Sequence, residues 1–482
     1  MGVLTGCSDR ACLGVDLPAG VEPLVPCRPE GLARVRSLLE QGQAVVVLSC
    51  GRELAEREGF PAGLACVDVR EIAWLAPDEA SLRRRLDAAL TAAQRRAAAL
   101  GWHPAVPRRF PAERKVLVLG AGVAGREASR ALAALGCPVL LVEGGPGPVT
   151  GLGASVEVAV STTLAGLTGH AGAFTARLAG AVSGEVSCGA VIVATGCRWE
   201  LRSDCYGGLC PGAGIATVAG PFAAADVPAK VTFWLDAAPG EGRWCFEPAL
   251  RTAVSMAGAG SSVYILHREA RVAGDGLEAL YAEARRRGVT FVKYDRVAPA
   301  AGRLVAVEAG SGRELAAPEG LIVLGLSAAP AADAPAIAGA LDLDTGPDGY
   351  LQADSVHAEP VLTRRRGIYV AGSCRGPMTE AEAIRDARAA AMGAGALIAG
   401  GEIGRTWPVA VVDPDKCALC LTCQRACPHR AIVVDSVARA ASAVPQACYG
   451  CGVCAGECPA KAIQVEGYAD AAMLAEIGEV GR

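Results

Sequence analysis

The chain has 482 residues, a net charge of −4, 52% apolar residues and only 4% aromatics. At about 100–200 residues per domain, this length divides into about three or four domains, and the small apolar side chains suit tightly packed α/β layers. No long Lys/Arg run offers the basic face that nucleic acid requires. No run of about 18 strongly apolar, uncharged residues offers a membrane span, the richest stretch, Gly320 to Leu341, being broken by prolines and Asp333.

At the N-terminus, Leu4-Thr5-Gly6-Cys7 mimics a lipoprotein cleavage box. Only three residues precede it, too few for a charged and an apolar leader region, so a cytoplasmic location is expected.

Residues 115–143 read KVLVLGAGVAGREASRALAALGCPVLLVE. An apolar strand over Lys115–Leu119 leads into Gly120-x-Gly122-x-x-Gly125, then a helix rich in Ala and Leu, then a strand Val139–Val142 closed by Glu143. Strand, glycine turn, helix and an acid about 20 residues on form the dinucleotide fingerprint. The glycines, with Ala124, let the backbone approach a pyrophosphate at the helix N-terminus. Glu143 is placed to accept from a ribose hydroxyl. Two later segments select FAD over NAD: a strand from Val191 ending in Ala194-Thr195-Gly196, and Gly367 to Ser373, with Gly372 and Ser373 at the turn. Flavoproteins of this kind usually carry Asp where Ser373 stands. A helix from about Thr379 to Leu397 should aim its N-terminus at the same place, where it could stabilise negative charge on a reduced flavin.

Between these segments, residues 230–300 read as a second α/β unit of the type that holds NAD(P)H. Its strand Val231–Leu235 leads into Gly240-x-Gly242-x-x-Cys245, so the third glycine is lost. Gly258-Ala-Gly260 follows a helix and precedes a strand, the wrong order for the fingerprint. This unit is expected not to bind a nicotinamide cofactor.

Of the 20 cysteines, eight fall between 417 and 458. Residues 417–428 read CALCLTCQRACP and residues 448–459 read CYGCGVCAGECP. Each is C-x₂-C-x₂-C-x₃-C-P, the run of two-cluster ferredoxins in which the fourth cysteine ligates the other cluster. One [4Fe–4S] cluster should use Cys417, Cys420, Cys423 and Cys458, and the other Cys448, Cys451, Cys454 and Cys427. Structural zinc would call for ligands in pairs, not interleaved fours. An internal repeat C-P-x-x-A-I-x-V recurs 31 residues apart, after Cys427 and after Cys458, and implies a pseudo-two-fold axis.

With these residues in hand, the chain resembles the heterodisulfide reductase A-type family of iron–sulfur flavoproteins. Trp244-Cys-Phe and the stretch Val263 to Phe291 are similar to that family's second α/β domain. Ala371-Gly-Ser-Cys-Arg-Gly376-Pro377 is similar to its flavin-closing turn, and Val46–Cys50 with Val69-Arg70-Glu71 to parts of its N-terminal domain. The resemblance implies an α/β, two-dinucleotide-binding-domain flavoprotein of the thioredoxin and glutathione reductase type. It carries an N-terminal α/β domain (1–105) and a C-terminal α+β 2[4Fe–4S] ferredoxin domain (408–470). The FAD domain should comprise 114–228 and 300–405, with 229–299 as the second α/β domain. Gly376 and Thr379 join the expected flavin contacts.

The family also implies a further [4Fe–4S] cluster in the N-terminal domain. Cys7, Cys27 and Cys50 fall near the expected places; the usual Cys after Arg-Glu is absent, and Cys66 or Cys12 would replace it. The alternative, buried unpaired thiols, stays open. An inserted ferredoxin and a Cys-rich loop found in many relatives are missing, since the chain runs directly from Glu143 to the strand near Val156–Val160. Cys188, Cys197, Cys205, Cys210, Cys245 and Cys374 have no assigned partner, although Cys205 and Cys210 have the spacing of a redox pair.

The function so implied is that of an FAD- and [4Fe–4S]-containing electron-transfer component that splits electron pairs between a two-electron donor and low-potential ferredoxin or disulfide-type acceptors. No acid–base catalytic side chain is expected, because the chemistry belongs to FAD. Implied partners are heterodisulfide reductase B- and C-like subunits, a hydrogenase- or dehydrogenase-type donor and ferredoxin, around a homodimer. Two alternatives stay open: an adaptor without bifurcation serving quinone-, sulfur- or aromatic-reducing systems, and a stand-alone NAD(P)H oxidoreductase.

Overall fold

The computed structural model describes residues 3–7, 22–24, 29–40, 45–49, 65–74, 76–100, 108–218, 228–300, 302–405, 408–437 and 439–480. The chain is mixed α/β, with three parallel-stranded units followed by a cysteine-rich unit.

The first sheet has four parallel strands in the order Glu22–Leu24, Val3–Cys7, Val45–Ser49 and Ala65–Asp68. Parallel neighbours need long crossovers, supplied here in part by the helix Pro29–Glu40. Cys7 is level with Leu24 at the carboxyl ends of their strands, whereas Cys66 lies level with Val47, inside the sheet. Cys12, Cys27 and Cys50 lie outside the described residues, as do the side chains of Cys7 and Cys66.

The second sheet has five parallel strands: Ile368–Val370, Ala190–Val193, Val116–Leu119, Val139–Val142 and Val156–Ala159. Four of the five are buried along their whole length. That is the continuous apolar pattern of a parallel sheet covered on both faces. On one face lie the helices Val123–Ala134 and Glu380–Ile398, whose Ala128, Ala387, Ala390, Ala391 and Ala394 are buried in one core with Leu132. Small side chains there let the helix axes come close, which explains a core built with so few aromatics. On the other face lie a three-stranded antiparallel sheet, Thr162–Cys188, and the helix Ala334–Leu341. Truncating fully buried Leu132 to Ala would cost about 2–5 kcal/mol.

The third sheet has seven strands, ordered Ile215–Thr217, Leu321–Leu324, Lys230–Trp234, Ser262–His267, Thr290–Ala300, Arg303–Glu308 and Glu314–Ala316. The first five run parallel and the last two join as antiparallel hairpins. Strands between 303 and 324, expected in the resumed FAD unit, therefore extend this second α/β unit, and Ile215–Thr217 joins it ahead of the expected start at 229. An antiparallel ribbon of Cys197–Glu200 and Ser327–Pro330 carries the chain out of the unit of the second sheet and back.

The cysteine-rich unit repeats its backbone as well as its sequence. Positive φ recurs 31 residues apart at Leu419 and Gly450, Leu421 and Gly452, and Arg430 and Lys461. The helices Thr422–Ala426 and Val453–Glu457 obey the same offset. The final helix Asp470–Val480 packs on the N-terminal helix Glu79–Leu100. Among the described residues, no helix is long and apolar enough to cross a membrane.

Candidate functional site

The glycine turn after Val116–Leu119 divides its three glycines by role. A Cβ on Gly120, at φ +97°, would lie 2.5 Å from the Ala194 carbonyl oxygen, and one on Gly125 would lie 1.7 Å from that of Gly120. Both therefore serve close packing of turn, helix and sheet. Around a Cβ on Gly122 there is nothing within 4 Å, so this residue borders open space. It is also the N-cap of the helix Val123–Ala134, which no side chain caps, leaving orphan amides of the kind that bind a phosphate. Ala124 is buried beneath the turn.

The acid at the end of the next strand ties the turn down. Glu143 Oε2 accepts from Ala121 N at 2.6 Å and Oε1 from Gly145 N at 2.9 Å. A cavity opens beside it, lined among others by Gly120, Glu143, Thr162, Thr195 and Asp333. The Thr195 hydroxyl is buried and has no protein hydrogen-bond partner. Buried polar atoms are rarely left so, and a dinucleotide in this cavity would meet that demand. Ala194 and Gly196 flank Thr195, with Gly196 at φ +72°. The residues present fit a dinucleotide with its adenosine end over Glu143. Asp333, at the N-cap of a helix with Pro at its start, lines the cavity too; its distance in sequence from the fingerprint hid it.

The late strand closes the opposite side. A Cβ on Gly372, at φ +72°, would meet the Ala124 side chain at 2.7 Å, so this turn presses directly on the first helix. Gly372 N donates to Asp386 Oδ2 at 3.4 Å, and Arg375 clamps the same carboxylate through Nε and Nη2. An acid thus stands behind the turn, although Ser373 replaces the one within it. Ser373 instead shares a hydrogen bond with the Cys197 thiol, which burial holds above its ordinary value. Gly376 has open space around it at φ +156°. Thr379 forms a capping box with Glu382, donating its amide at 2.9 Å and accepting the Glu382 amide at 3.4 Å. Glu382 also pairs with Arg243 of the second α/β unit. The helix dipole at this end is thus already offset by its own carboxylate.

In the second α/β unit the same turn is filled from within. Gly242 caps the helix Arg243–Gly258 as Gly122 caps its counterpart. Glu241, 7% exposed, folds its carboxylate back to accept from Asp236 N and Ala238 N at 2.9 Å each and from the Tyr206 hydroxyl at 2.5 Å. Burial holds Glu241 above the usual carboxylate range, and burial beside that carboxylate raises Tyr206 strongly. Asp236, at φ +62°, accepts from Arg268 N, Glu269 N and Arg271 Nε at the end of the adjoining strand. Cys245, in place of the third glycine, is buried and receives Leu326 N at 3.4 Å. The space over Gly242 is taken by the Trp244 ring, 2.5 Å from where a Cβ would stand, while Glu241 and Asp236 hold amides that flank the turn.

In the cysteine-rich unit, Cys423, Cys427, Cys448, Cys454 and Cys458 are buried in one core, Cys417 is half-buried, and Cys420 and Cys451 are exposed. Cys427 from the first run lines one cavity together with Cys448, Cys451 and Cys454 from the second. The Cys454 thiol is pushed up to about 11, by burial first and then by the sulfurs of Cys448, Cys427 and Cys451. Amides already point at sulfur in matched positions of the two halves: Ala431 N to Cys427 Sγ and Ala462 N to Cys458 Sγ, both 3.3 Å. Among the described residues no three ligand side chains converge to hold a single metal ion. A four-iron cage differs, since each thiolate takes its own iron. Thiolates stabilised by amides are the donor set such a cage needs.

Residues 410–459 match the family described as "4Fe-4S dicluster domain". Over 182 residues, 36% of the chain, it is 32% identical to the iron–sulfur A-subunit of CoB–CoM heterodisulfide reductase from Methanocaldococcus jannaschii, of which 27% is covered. That third of the chain is similar to the A-type component of heterodisulfide reductase. A heterodisulfide reductase A-subunit-like protein of Archaeoglobus profundus is 29% identical over 177 residues, covering 36% of this chain and 25% of that protein. The chain thus spans about a quarter of the length of the curated relatives it matches. Among solved structures, thioredoxin reductase of T. acidophilum matches 58% of this chain and 98% of its own, at 16% identity and a TM-score of 0.40.

Cys137, Cys188, Cys197, Cys205, Cys210, Cys245 and Cys374 are not disulfide-bonded. Cys205 and Cys210 donate to different acceptors, Asp204 and the Gly208 carbonyl, rather than to each other.

Proposed function

We propose that the chain is an oxidoreductase component that carries electrons between FAD and [4Fe–4S] clusters in a heterodisulfide reductase-like complex. The observation that carries this reading is a unit of two repeated cysteine runs, Cys427 of the first lining a cavity with Cys448, Cys451 and Cys454 of the second, packed against a unit with an open glycine turn. Gly120, Gly122, Gly125, Glu143 and Thr195 would hold the dinucleotide, with Gly372 and Ser373 closing its flavin end. Cys417, Cys420, Cys423 and Cys458 would hold one cluster, and Cys448, Cys451, Cys454 and Cys427 the other. FAD supplies two-electron chemistry when bound, and the clusters supply single electrons. The protein supplies position, exclusion of water and charge. Partners would be heterodisulfide reductase-type subunits, an electron-pair donor and ferredoxin.

The test is iron, acid-labile sulfide and FAD per chain on anaerobically purified protein. About eight irons with one FAD fits two clusters of four. About twelve would add a cluster on the N-terminal cysteines, where Cys7 stands at the carboxyl edge of the first sheet. Fewer than about eight irons, or no flavin, would sink the reading.

Within this reading, electron bifurcation follows from the resemblance. The adaptor reading is favoured by one feature, the direct run from Glu143 to the strand Val156–Ala159 with no inserted ferredoxin. A redox titration separates them: inverted potentials for the two flavin reduction steps favour bifurcation, and one ordered series of potentials favours the adaptor. A stand-alone NAD(P)H oxidoreductase is disfavoured by the Trp244 ring over Gly242 and by buried Cys245 in place of the third glycine.

A further inference from the structure

The two cysteine quartets are built by a repeat, but their surroundings are not equal. His429 follows Cys427 by two positions and Tyr449 follows Cys448 by one, and both line the cavity of Cys427, Cys448, Cys451 and Cys454. Their rings stack with centroids 4.3 Å apart and planes inclined by 28°. At the matching positions of the other half, 31 residues away, stand Ala460 and Ala418. An aromatic pair therefore marks one quartet only.

That pair is where the cysteine-rich unit meets the first dinucleotide unit. The Arg366 guanidinium lies over the Tyr449 ring, 4.1 Å from its centroid. His429 Nδ1 is 2.8 Å from the Arg364 carbonyl oxygen, and Arg430 pairs with Asp342. Arg366 ends the turn before the strand Ile368–Val370, and six residues beyond it Gly372 packs against Ala124 at the dinucleotide cleft. One short segment thus joins the marked quartet to that cleft. Of the other charged groups here, Asp354 and Glu359 also act on Tyr449, and Arg364 pairs with Asp344.

We propose that Arg366 is a positioning residue for the cluster on Cys427, Cys448, Cys451 and Cys454, that this cluster is the one facing the dinucleotide unit, and that the cation seated on Tyr449 favours its reduced form selectively. A reduced cluster carries one more negative charge, and cluster potentials follow net charge and surroundings. A guanidinium on an aromatic face at a shielded contact keeps more of its field than one in open solvent. The inference rests on the ligand assignment proposed above.

The experiment uses the full anaerobic chain and its Arg366→Gln and Arg366→Lys variants, with cluster potentials followed by paramagnetic resonance during reductive titration. Cys420→Ser perturbs the other cluster and so assigns the signals. The expected result is a shift of one signal to lower potential in Arg366→Gln, largely restored in Arg366→Lys, the shifted signal being the one that Cys420→Ser leaves alone. Tyr449→Leu, which removes the seat of the cation, should move the same signal in the same direction if Arg366→Gln proves too unstable to purify. Unmoved potentials, equal shifts of both clusters, or a shift confined to the signal perturbed by Cys420→Ser would overturn the inference while leaving the electron-transfer reading intact. A wild-type chain with fewer than about eight irons would remove both.

Discussion

Glu143 accepts the Ala121 amide at 2.6 Å, so the acid at the end of one strand holds the glycine turn at the end of its neighbour. The same carboxylate borders the cavity proposed for the dinucleotide. Replacing it therefore loosens the turn and removes a ribose partner together. A hydrogen bond to a charged group is worth about 1.5–3 kcal/mol, so Glu143→Ala should weaken FAD binding by roughly 10- to 150-fold. Fluorescence titration of the flavin-free chain measures this directly.

The turn glycines should separate folding from binding. Gly125→Ala places a methyl 1.7 Å from a backbone oxygen that cannot give way, so the variant should lose both flavin and thermal stability. Gly122→Ala meets no protein atom within 4 Å and should unfold as the wild type does. It should nevertheless bind FAD more weakly, because its methyl enters the space left for the pyrophosphate. Equal losses of stability in the two variants would contradict this division.

The second turn predicts a blank result with nicotinamides. NADH or NADPH at millimolar concentration should leave the flavin of the isolated chain oxidised, since the Trp244 ring lies over Gly242 and buried Cys245 stands in place of the third glycine. Rapid bleaching would show that the Trp244 ring yields to a ligand.

Glu241 also gives a pH signature. Its folded-state value is raised above its ordinary 4.5, chiefly by burial. An acid of this kind binds its proton more tightly when folded, so its stabilising contribution is complete below about 4.5 and is lost as pH rises through the folded value. The thermal midpoint should therefore fall across that window. In Glu241→Gln the fall should flatten. A wild-type midpoint that rises throughout the same window after subtraction of the variant would refute the assignment.

How much of this was legible in advance depends on range in sequence. The strand, turn and helix from Val116 to Ala134 could be read because their glycines and apolar run are contiguous. The cysteine repeat was readable for the same reason, down to the 31-residue offset that the backbone angles at Leu421 and Gly452 reproduce. What could not be read is pairing across distance. Leu321–Leu324 looks like any apolar strand, and only its parallel neighbour Lys230–Trp234 places it in the second α/β unit. Tyr206 finds Glu241 from 35 residues away, and Arg366 finds Tyr449 across two units. At Thr379 the helix start was legible because its capping residues are local, whereas the pairing of Glu382 with Arg243 of another unit was not.

The exchange of fourth cysteines bears on how the protein is made. On the proposed assignment, the first three thiols of each cubane leave the ribosome together, but Cys417, Cys420 and Cys423 must wait for Cys458 before their cage can close. Cys427 leaves the ribosome early and waits for Cys448, Cys451 and Cys454. The first cage begun is thus the last one completed. Iron delivery during synthesis would meet an open, oxygen-sensitive half-site for the whole interval, which favours insertion after release of the finished tail.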